Sequence, residues 1–320
     1  YGTIDPMPLV AIFFTLLFGI MFGDVGQGLV FVGIGILLRR GVIKKFAAWQ
    51  KFAPIFVGIG CSSTVMGFLN GEFFSNHHVL DFIGSAVAGL FGTTYPFLHL
   101  MPNSDSIHRV FYFFIFTLGI GFIINSTGLV VNIINQVSLK HLGKALFGKT
   151  GLSGALFFWY VIALAVRIAV WKYAVSPADW AVMGLCLGGV FLGEPLERLV
   201  EGERPVFEDG LGVAAIHGVV EVLEIISSYF SNSLSFLRVG AFALAHAVLG
   251  FIIFTMTDLI GGAASPSGIL VTVAGNAVVI LLEGMIVAIQ VIRLQYYEFF
   301  SKFFTETGKE FIPFRFTYRP

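Results

Sequence analysis

Runs of apolar residues long enough to cross a lipid bilayer recur along the whole chain. A transmembrane helix needs about 20 consecutive apolar residues. Only 12% of the residues are charged, whereas about 25% is typical of soluble domains. The pattern predicts an all-α, multi-pass membrane protein. The apolar runs cover residues 8–38, 52–71, 108–138, 151–171, 179–196, 216–258 and 268–300.

The first run is too long for one straight helix. Residues 8–38 would form a helix roughly 46 Å long, and the middle of the run reads "MFGDVGQG". Glycine and aspartate favour turns, so we expect two spans, 8–22 and 25–38, joined by a tight turn. The glycines predict close helix packing rather than a nucleotide loop, which needs a preceding strand. Asp24 receives no role from the sequence.

Lysine and arginine in the connecting segments predict the orientation of the spans. Their number alternates between high and low at every step along the chain. Because cytoplasmic loops are enriched in Lys and Arg, segments 39–51, 139–150, 197–215 and the tail from 301 are predicted to be cytoplasmic. With the hairpin this gives eight spans and two cytoplasmic termini. Seven spans with an external N-terminus is the alternative.

The start of the chain bears on its domain organisation. The sequence opens with "YGTIDPMP" and not with Met. We therefore expect residues 1–320 to be a single transmembrane domain, the C-terminal membrane part of a longer chain.

One polar stripe runs through the seventh span. Its residues are three or four positions apart and therefore share a helix face. His246 lies about 12 Å beyond the last of them along the helix. The stripe consists of Glu224, Ser228, Ser231, Ser235 and Arg238.

A second stripe runs through the eighth span. Asn276, Glu283, Gln290 and Tyr297 are each seven residues apart, with Arg293 beside them. We expect these residues to share one face. Both runs, 216–258 and 268–300, exceed the length of a perpendicular crossing, which predicts two long and strongly tilted helices.

The charges in these stripes favour a transport role. A charged residue at the bilayer centre costs about 2.5–3.5 kcal/mol on insertion scales, and such residues usually mark ion pathways. The alternative is structural pairing of Arg238 with Glu283 and of Arg293 with Glu224. Buried ion pairs are poor stabilisers, so transport is the favoured interpretation.

Three segments resemble a known family. "FGIMFGDVGQG", "SFLRVGAFALAHA" and "EGMIVAIQVIRLQYYEFF" resemble the membrane domain of subunit a, also called subunit I, of V-type and A/V-type rotary ATPases. The resemblance implies an eight-span stator domain against a rotating proteolipid ring. The large N-terminal cytoplasmic domain of that family, which reaches the peripheral stalks, would precede this chain.

The resemblance also implies roles for individual residues. Arg238 would be the essential arginine facing the ring carboxylates, and Arg293 the second arginine. Two offset half-channels would carry proton or sodium. Glu224 and the three serines of the first stripe would line the cytoplasmic route, and Glu283 with His246 the outer route.

Other features of the resemblance limit what is expected. Gln290 stands where eukaryotic members tend to have His, which favours a prokaryotic cell-membrane protein and leaves the ion open. The chain lacks a P-loop, so ATP hydrolysis or synthesis would belong to partner subunits. We expect no cofactor, no metal site and no nucleic-acid partner. A secondary ion-coupled transporter is the alternative, but a protein of that class is expected to contain internal repeats. The sequence contains no second copy of "GDVGQG" or of the Arg-bearing stripe.

Overall fold

The computed structural model describes residues 5–41, 44–74, 80–91, 106–148, 150–172, 174–202, 211–262 and 265–303. The chain is helical, as predicted. A 3₁₀ helix spans Lys44–Phe52. The α-helices are α1 (Met7–Met21), α2 (Val25–Arg39), α3 (Ala53–Asn70), α4 (Asp81–Phe91), α5 (Ser106–Ser138), α6 (Leu142–Phe147), α7 (Leu152–Trp171), α8 (Pro177–Phe191), α9 (Gly193–Glu201), α10 (Leu211–Ser235), α11 (Leu237–Leu259), α12 (Pro266–Val278), α13 (Gly284–Leu294) and α14 (Ser301–Phe303).

Five helical segments of the described residues are long and apolar enough to cross a membrane. They are 48–70, 111–138, 142–171, 212–259 and 266–300. Three shorter apolar helices, α1, α2 and α8, coincide with the predicted spans 8–22, 25–38 and 179–196. Each has 15 residues and is therefore about 22 Å long. Length and composition alone thus support five crossings, and the count of eight stays a prediction.

The predicted hairpin in the first run is confirmed. Helix α1 ends at Met21 and α2 begins at Val25, so Phe22–Asp24 form the turn. Both helices pack on α3 through glycines. A Cβ at Gly60 would lie 2.6 Å from the Val32 backbone nitrogen, and a Cβ at Gly28 would lie 2.7 Å from the Thr64 nitrogen. The predicted close packing through small residues is therefore confirmed.

We expect Gly60→Ala to destabilise the α2–α3 pair. The new methyl group would meet backbone atoms of α2 that cannot move independently, and overpacking typically costs about 1–3 kcal/mol. The matched control is Gly33→Ala in α2, where no atom lies within 4 Å of the added Cβ. The measurement is the thermal unfolding midpoint in detergent. Equal midpoints for the two variants would contradict this account of the packing.

The seventh predicted span is two helices. Helix α10 ends at Ser235 and α11 begins at Leu237, so the break separates Ser235 from Arg238 within the first polar stripe. The Phe236 side chain at the break is 1% exposed and packs where a Cβ on Gly121 of α5 would have to sit. Helix α5 thereby holds the start of α11 in position.

The eighth predicted span contains two π-turns, at Val279–Glu283 and Gln295–Phe300. A π-turn has i→i+5 hydrogen bonds and shifts the helical repeat. The expectation of one shared face is consequently wrong for Tyr297: Asn276 and Glu283 are 4% and 7% exposed, whereas Tyr297 is 68% exposed. Helices α12, α13 and α14 and these two π-turns together form the final helix.

The main apolar core joins α1, α2, α3, α5, α11 and the final helix. Aromatic rings dominate its centre, with Phe18, Phe22 and Phe31 in mutual contact at centroid distances of 5.5–5.7 Å. A smaller core joins α5, α7, α8 and α10. Arg167 of α7, to which the sequence assigns no role, lies 3.9 Å from Asp179 of α8.

Candidate functional site

Arg238 connects the two predicted polar stripes. It is the second residue of α11, and its Nη1 donates a hydrogen bond to Gln290 Oε1 at 3.4 Å. The alternative pairing of Arg238 with Glu283 is wrong, because Glu283 Oε2 lies 2.8 Å from His246 Nδ1 instead. The guanidinium group is therefore held by a neutral amide.

Four ionisable side chains, here called the histidine cluster, meet beyond Arg238. They are Asp24, Glu72, His246 and Glu283, and each is less than 9% exposed. Possible ligand atoms of Asp24, Glu72 and His246 lie within 4.8 Å of one another. The predicted proximity of His246 and Glu283 is observed. Asp24, Glu72 and His246 are the residues of this site whose donor atoms could hold a metal.

The hairpin turn brings Asp24 into this cluster. Asp24 is the N-cap of α2, and its Oδ1 accepts hydrogen bonds from the backbone nitrogens of Gln27 at 2.9 Å and Phe74 at 3.0 Å. The Val25 nitrogen donates to the Glu72 carbonyl at 3.0 Å. The turn after α1 is thereby fastened to the loop after α3.

The partner helices fix the remaining side chains of the cluster. The Phe22 ring lies 4.6 Å from the His246 ring between centroids, and Gln27 Nε2 donates to Asn276 Oδ1 of the final helix at 2.8 Å. Burial raises the pKa of the Glu72 carboxyl to about 7, against the opposing charge of His246. Among the described residues, Glu283 Oε1 has no hydrogen-bond partner. Three carboxyl groups thus surround one imidazole in a buried, preorganised site.

A polar cavity of about 190 Å³, here called the lysine cavity, lies on the other side of Arg238 along the chain. Two of the predicted site residues, Glu224 and Ser228, line it. Burial lowers the pKa of Lys302 to about 8, against the attraction of the Glu298 carboxylate. The lining residues are Thr150, Glu224, Ile225, Ser228, Tyr229, Ser301 and Lys302.

A hydrogen-bond network connects this cavity with the neighbourhood of Arg238. In the amide orientation that satisfies its neighbours, Asn232 donates to Glu298 and accepts from Lys302 Nζ at 2.7 Å. Glu298 also forms a side-chain hydrogen bond with Ser235 and interacts electrostatically with Arg238. The Lys302 ammonium lies 4.8 Å from the centroid of the Tyr229 ring. Polar groups therefore continue from the cavity to the start of α11.

Comparison with known sequences gives the relatives of this chain. A family profile described as the V-type ATPase 116 kDa subunit family matches residues 201–316. The V-type ATP synthase subunit I 2 of Treponema pallidum is 45% identical over 196 residues, which are 60% of this chain and 42% of that protein. The A-type ATP synthase subunits I of Archaeoglobus fulgidus and Methanocaldococcus jannaschii are 27% and 26% identical across 98% of this chain. The C-terminal third of the chain is thus similar to the V-type ATPase 116 kDa subunit family.

The chain spans about half the length of these curated relatives, from 42% to 49% of each. The predicted resemblance to subunit I is confirmed, and the long apolar helices indicate an integral membrane protein. The matched region, 201–316, contains Arg238, His246, Glu283 and Gln290.

Six of the predicted site residues are brought together in three pairs. Arg238 with Gln290, His246 with Glu283, and Glu224 with Ser228 are brought to the three locations described above. Ser231 is exposed and is absent from the cavity lining. Arg293 is also exposed, with its guanidinium 5.9 Å from the centroid of the Tyr297 ring.

Five residues at these locations were not predicted as site residues: Asp24, Glu72, Asn232, Glu298 and Lys302. A signal was present for three of them. Asn232 follows Ser228 by four residues, and Lys302 follows Glu298 by four, which is one helical turn. For Glu72, no local pattern points to a partner far away in the sequence.

Proposed function

We propose that this chain is the ion-translocating stator domain of a V/A-type rotary ATPase. Its two half-channels conduct proton or sodium to and from a ring of proteolipid subunits, each carrying one carboxylate. The chain itself contributes no nucleotide chemistry. The soluble ATPase sector and the peripheral stalks are supplied by other subunits.

The observation that carries this proposal is the separation of two polar regions by Arg238. Glu224, Ser228 and Lys302 are grouped on one side, and His246 with Glu283 on the other. Arg238 lies between them, about 12 Å along the helix from His246. A fixed positive charge between two polar regions repels cations, so an ion passes from one region to the other only on the ring.

The distribution of Lys and Arg supports the direction of the two routes. The Lys- and Arg-rich segments 39–51 and 139–150 would be cytoplasmic, in an eight-span arrangement with tilted final helices. The lysine cavity, which Thr150 of segment 139–150 helps to line, then opens to the cytoplasm. The histidine cluster opens to the outer side. The tail beyond residue 303, also a candidate for stalk contacts, lies outside the described residues.

The exposed face of the final helix supports contact with an apolar ring. Large apolar side chains cover it, and Arg293 lies on the same exposed face. A charged side chain is costly against lipid, whereas a ring carboxylate would provide it with a counter-charge. The apolar side chains are Leu282, Met285, Ile286, Ile289, Ile292 and Tyr296.

We expect a cysteine at Ser228 to react with a water-soluble thiol reagent added from the cytoplasmic side. The thiolate is the reactive form, and it forms in the aqueous lysine cavity but not in lipid. The measurement is the labelling rate in sealed vesicles of each orientation, with Cys61 and Cys186 replaced by serine.

The control is Leu223→Cys, five residues earlier on the same helix, whose side chain is 62% exposed but absent from the cavity lining. Ser228→Cys is expected to react at least tenfold faster than the control. Equal rates, or labelling of Ser228→Cys only from the outer side, would contradict the cytoplasmic route.

A further inference from the structure

We propose that Asp24, Glu72 and His246 form a binding site for a divalent transition-metal ion of the Zn²⁺ type. The site brings together three parts of the chain: the turn between α1 and α2, the loop after α3, and the middle of α11.

The donor atoms are already close to the spacing that such an ion requires. In a tetrahedral zinc site with bonds of about 2.0–2.1 Å, neighbouring ligand atoms are about 3.4 Å apart. Here the three donor atoms lie within 4.8 Å of one another. If side-chain rotations moved each donor atom by about 1 Å toward the centre, the three residues would form a three-ligand site with the fourth position open for water.

The hydrogen bond between His246 and Glu283 sets the imidazole in the arrangement that a metal ligand has. Histidines that bind a metal almost always donate their other ring nitrogen to a carboxylate or carbonyl. His246 Nδ1 is hydrogen-bonded to Glu283 Oε2 at 2.8 Å. The other ring nitrogen, Nε2, is therefore left to act as the metal ligand. The Phe22 ring packs against the imidazole at a tilt of 43° and restrains its rotation.

An unsatisfied oxygen on the same carboxylate points in the same direction. Glu283 is 7% exposed, and its Oε1 lacks a hydrogen-bond partner within the described part of the chain. A buried polar atom without a partner is costly. A water molecule in the open metal position would provide a donor for it.

The charges of the ligands favour a divalent ion that accepts nitrogen. The two ligand carboxylates and a neutral imidazole balance the charge of one Zn²⁺, and the ion thereby offsets negative charge in a buried site where unpaired charge is costly. Glu283, bonded to His246, adds one further acidic group beside the ligands. Mg²⁺ and Ca²⁺ prefer ligand sets made only of oxygen, whereas imidazole suits Zn²⁺ and its neighbours in the first transition series.

A metal at this position would occupy His246 in the proposed outer half-channel. Occupancy is then expected to block ion movement, and this consequence rests on the proposed function. Binding itself does not depend on it.

The test is Co²⁺ binding to the assembled, metal-stripped complex, followed through the visible absorption of the bound ion and by its displacement with Zn²⁺. We expect one Co²⁺ per stator subunit and at least tenfold weaker binding in Glu72→Gln. Glu283→Gln, which keeps all three ligands, is expected to weaken binding about 10–100-fold through the loss of ligand orientation. Asp258→Asn, which removes an exposed carboxylate near the end of α11, serves as the control with unchanged binding.

Equal Co²⁺ affinity in the unmodified complex, Glu72→Gln and Glu283→Gln would mean adventitious surface binding only and would overturn the proposal. If the complex with Glu72→Gln does not assemble, the Co²⁺ affinity of the complex with Glu283→Gln decides the test. Binding that depends on Glu72, together with ion transport insensitive to Zn²⁺, would support the metal site and contradict the outer route of the proposed function.

Discussion

Replacing Arg238 with Gln is expected to abolish ATP-driven ion uptake by vesicles that contain the assembled complex. An opposite charge about 4 Å from the ring carboxylate is worth roughly 4 kcal/mol at an effective dielectric constant of 20. Without it, the ionised carboxylate has no counter-charge while it passes the stator. Gln keeps the hydrogen-bonding capacity toward Gln290 but loses the charge, so the variant removes one property.

The control for this experiment is Arg167→Gln, which changes another arginine in an apolar helix. Arg167 lies near Asp179 and far in sequence from the polar stripes, so we expect ion uptake to be kept. ATPase activity and subunit assembly are measured on the same vesicles. Uptake by Arg238→Gln near the unmodified rate would mean that Arg238 only holds α11 and the final helix together.

Glu283→Gln is expected to reduce ion uptake by about a hundredfold, the lower range of what a positioned acid or base contributes to proton transfer. Glu283 is the carboxylate that contacts His246 directly, and an amide at this position can neither accept nor release an ion. Uptake at saturating ATP is the measurement, again with assembly verified.

The matched control for Glu283→Gln is Asp258→Asn. It removes one carboxylate from the end of α11, outside the histidine cluster, and should leave uptake unaltered. A loss of uptake in both variants would indicate a general effect of charge on assembly. Normal uptake in Glu283→Gln would exclude this carboxylate from the ion route.

The apolar helices and the hairpin could be predicted because a helix that lies in lipid needs an uninterrupted run of apolar residues. The boundaries of α1 and α2 fall within one residue of the predicted spans 8–22 and 25–38. The grouping of His246 with Glu283 was also predictable. Both are polar residues in apolar helices, and because those helices are antiparallel the two residues lie at the same height along them.

The histidine cluster as a whole could not be predicted, since half of it comes from outside the two helices that carry the stripes. Asp24 and Glu72 reach His246 only because the α1–α2 turn is bonded to the loop after α3. The hydrogen bond between Gln27 and Asn276 joins residues 249 positions apart. Periodicity describes one helix at a time and contains no information on such distant pairs.

The two π-turns also escaped prediction, because a seven-residue spacing was read as a regular α-helical repeat. Asn276 and Glu283 face the protein while Tyr297 does not. The residues at these positions are ordinary helix formers, so nothing local in the sequence marks the change in hydrogen bonding.

The π-turn at Val279–Glu283 is equivalent to one extra residue inserted into an otherwise regular helix. Such an insertion rotates everything that follows it by roughly one residue step, about 100° for a repeat of 3.6 residues per turn. The residues after the turn, including Arg293, thereby take an angular setting that is independent of that of Asn276 before it. One continuous rod can thus direct the side chains of its two halves differently without unwinding, and two surfaces with different partners can be adjusted separately along the same helix.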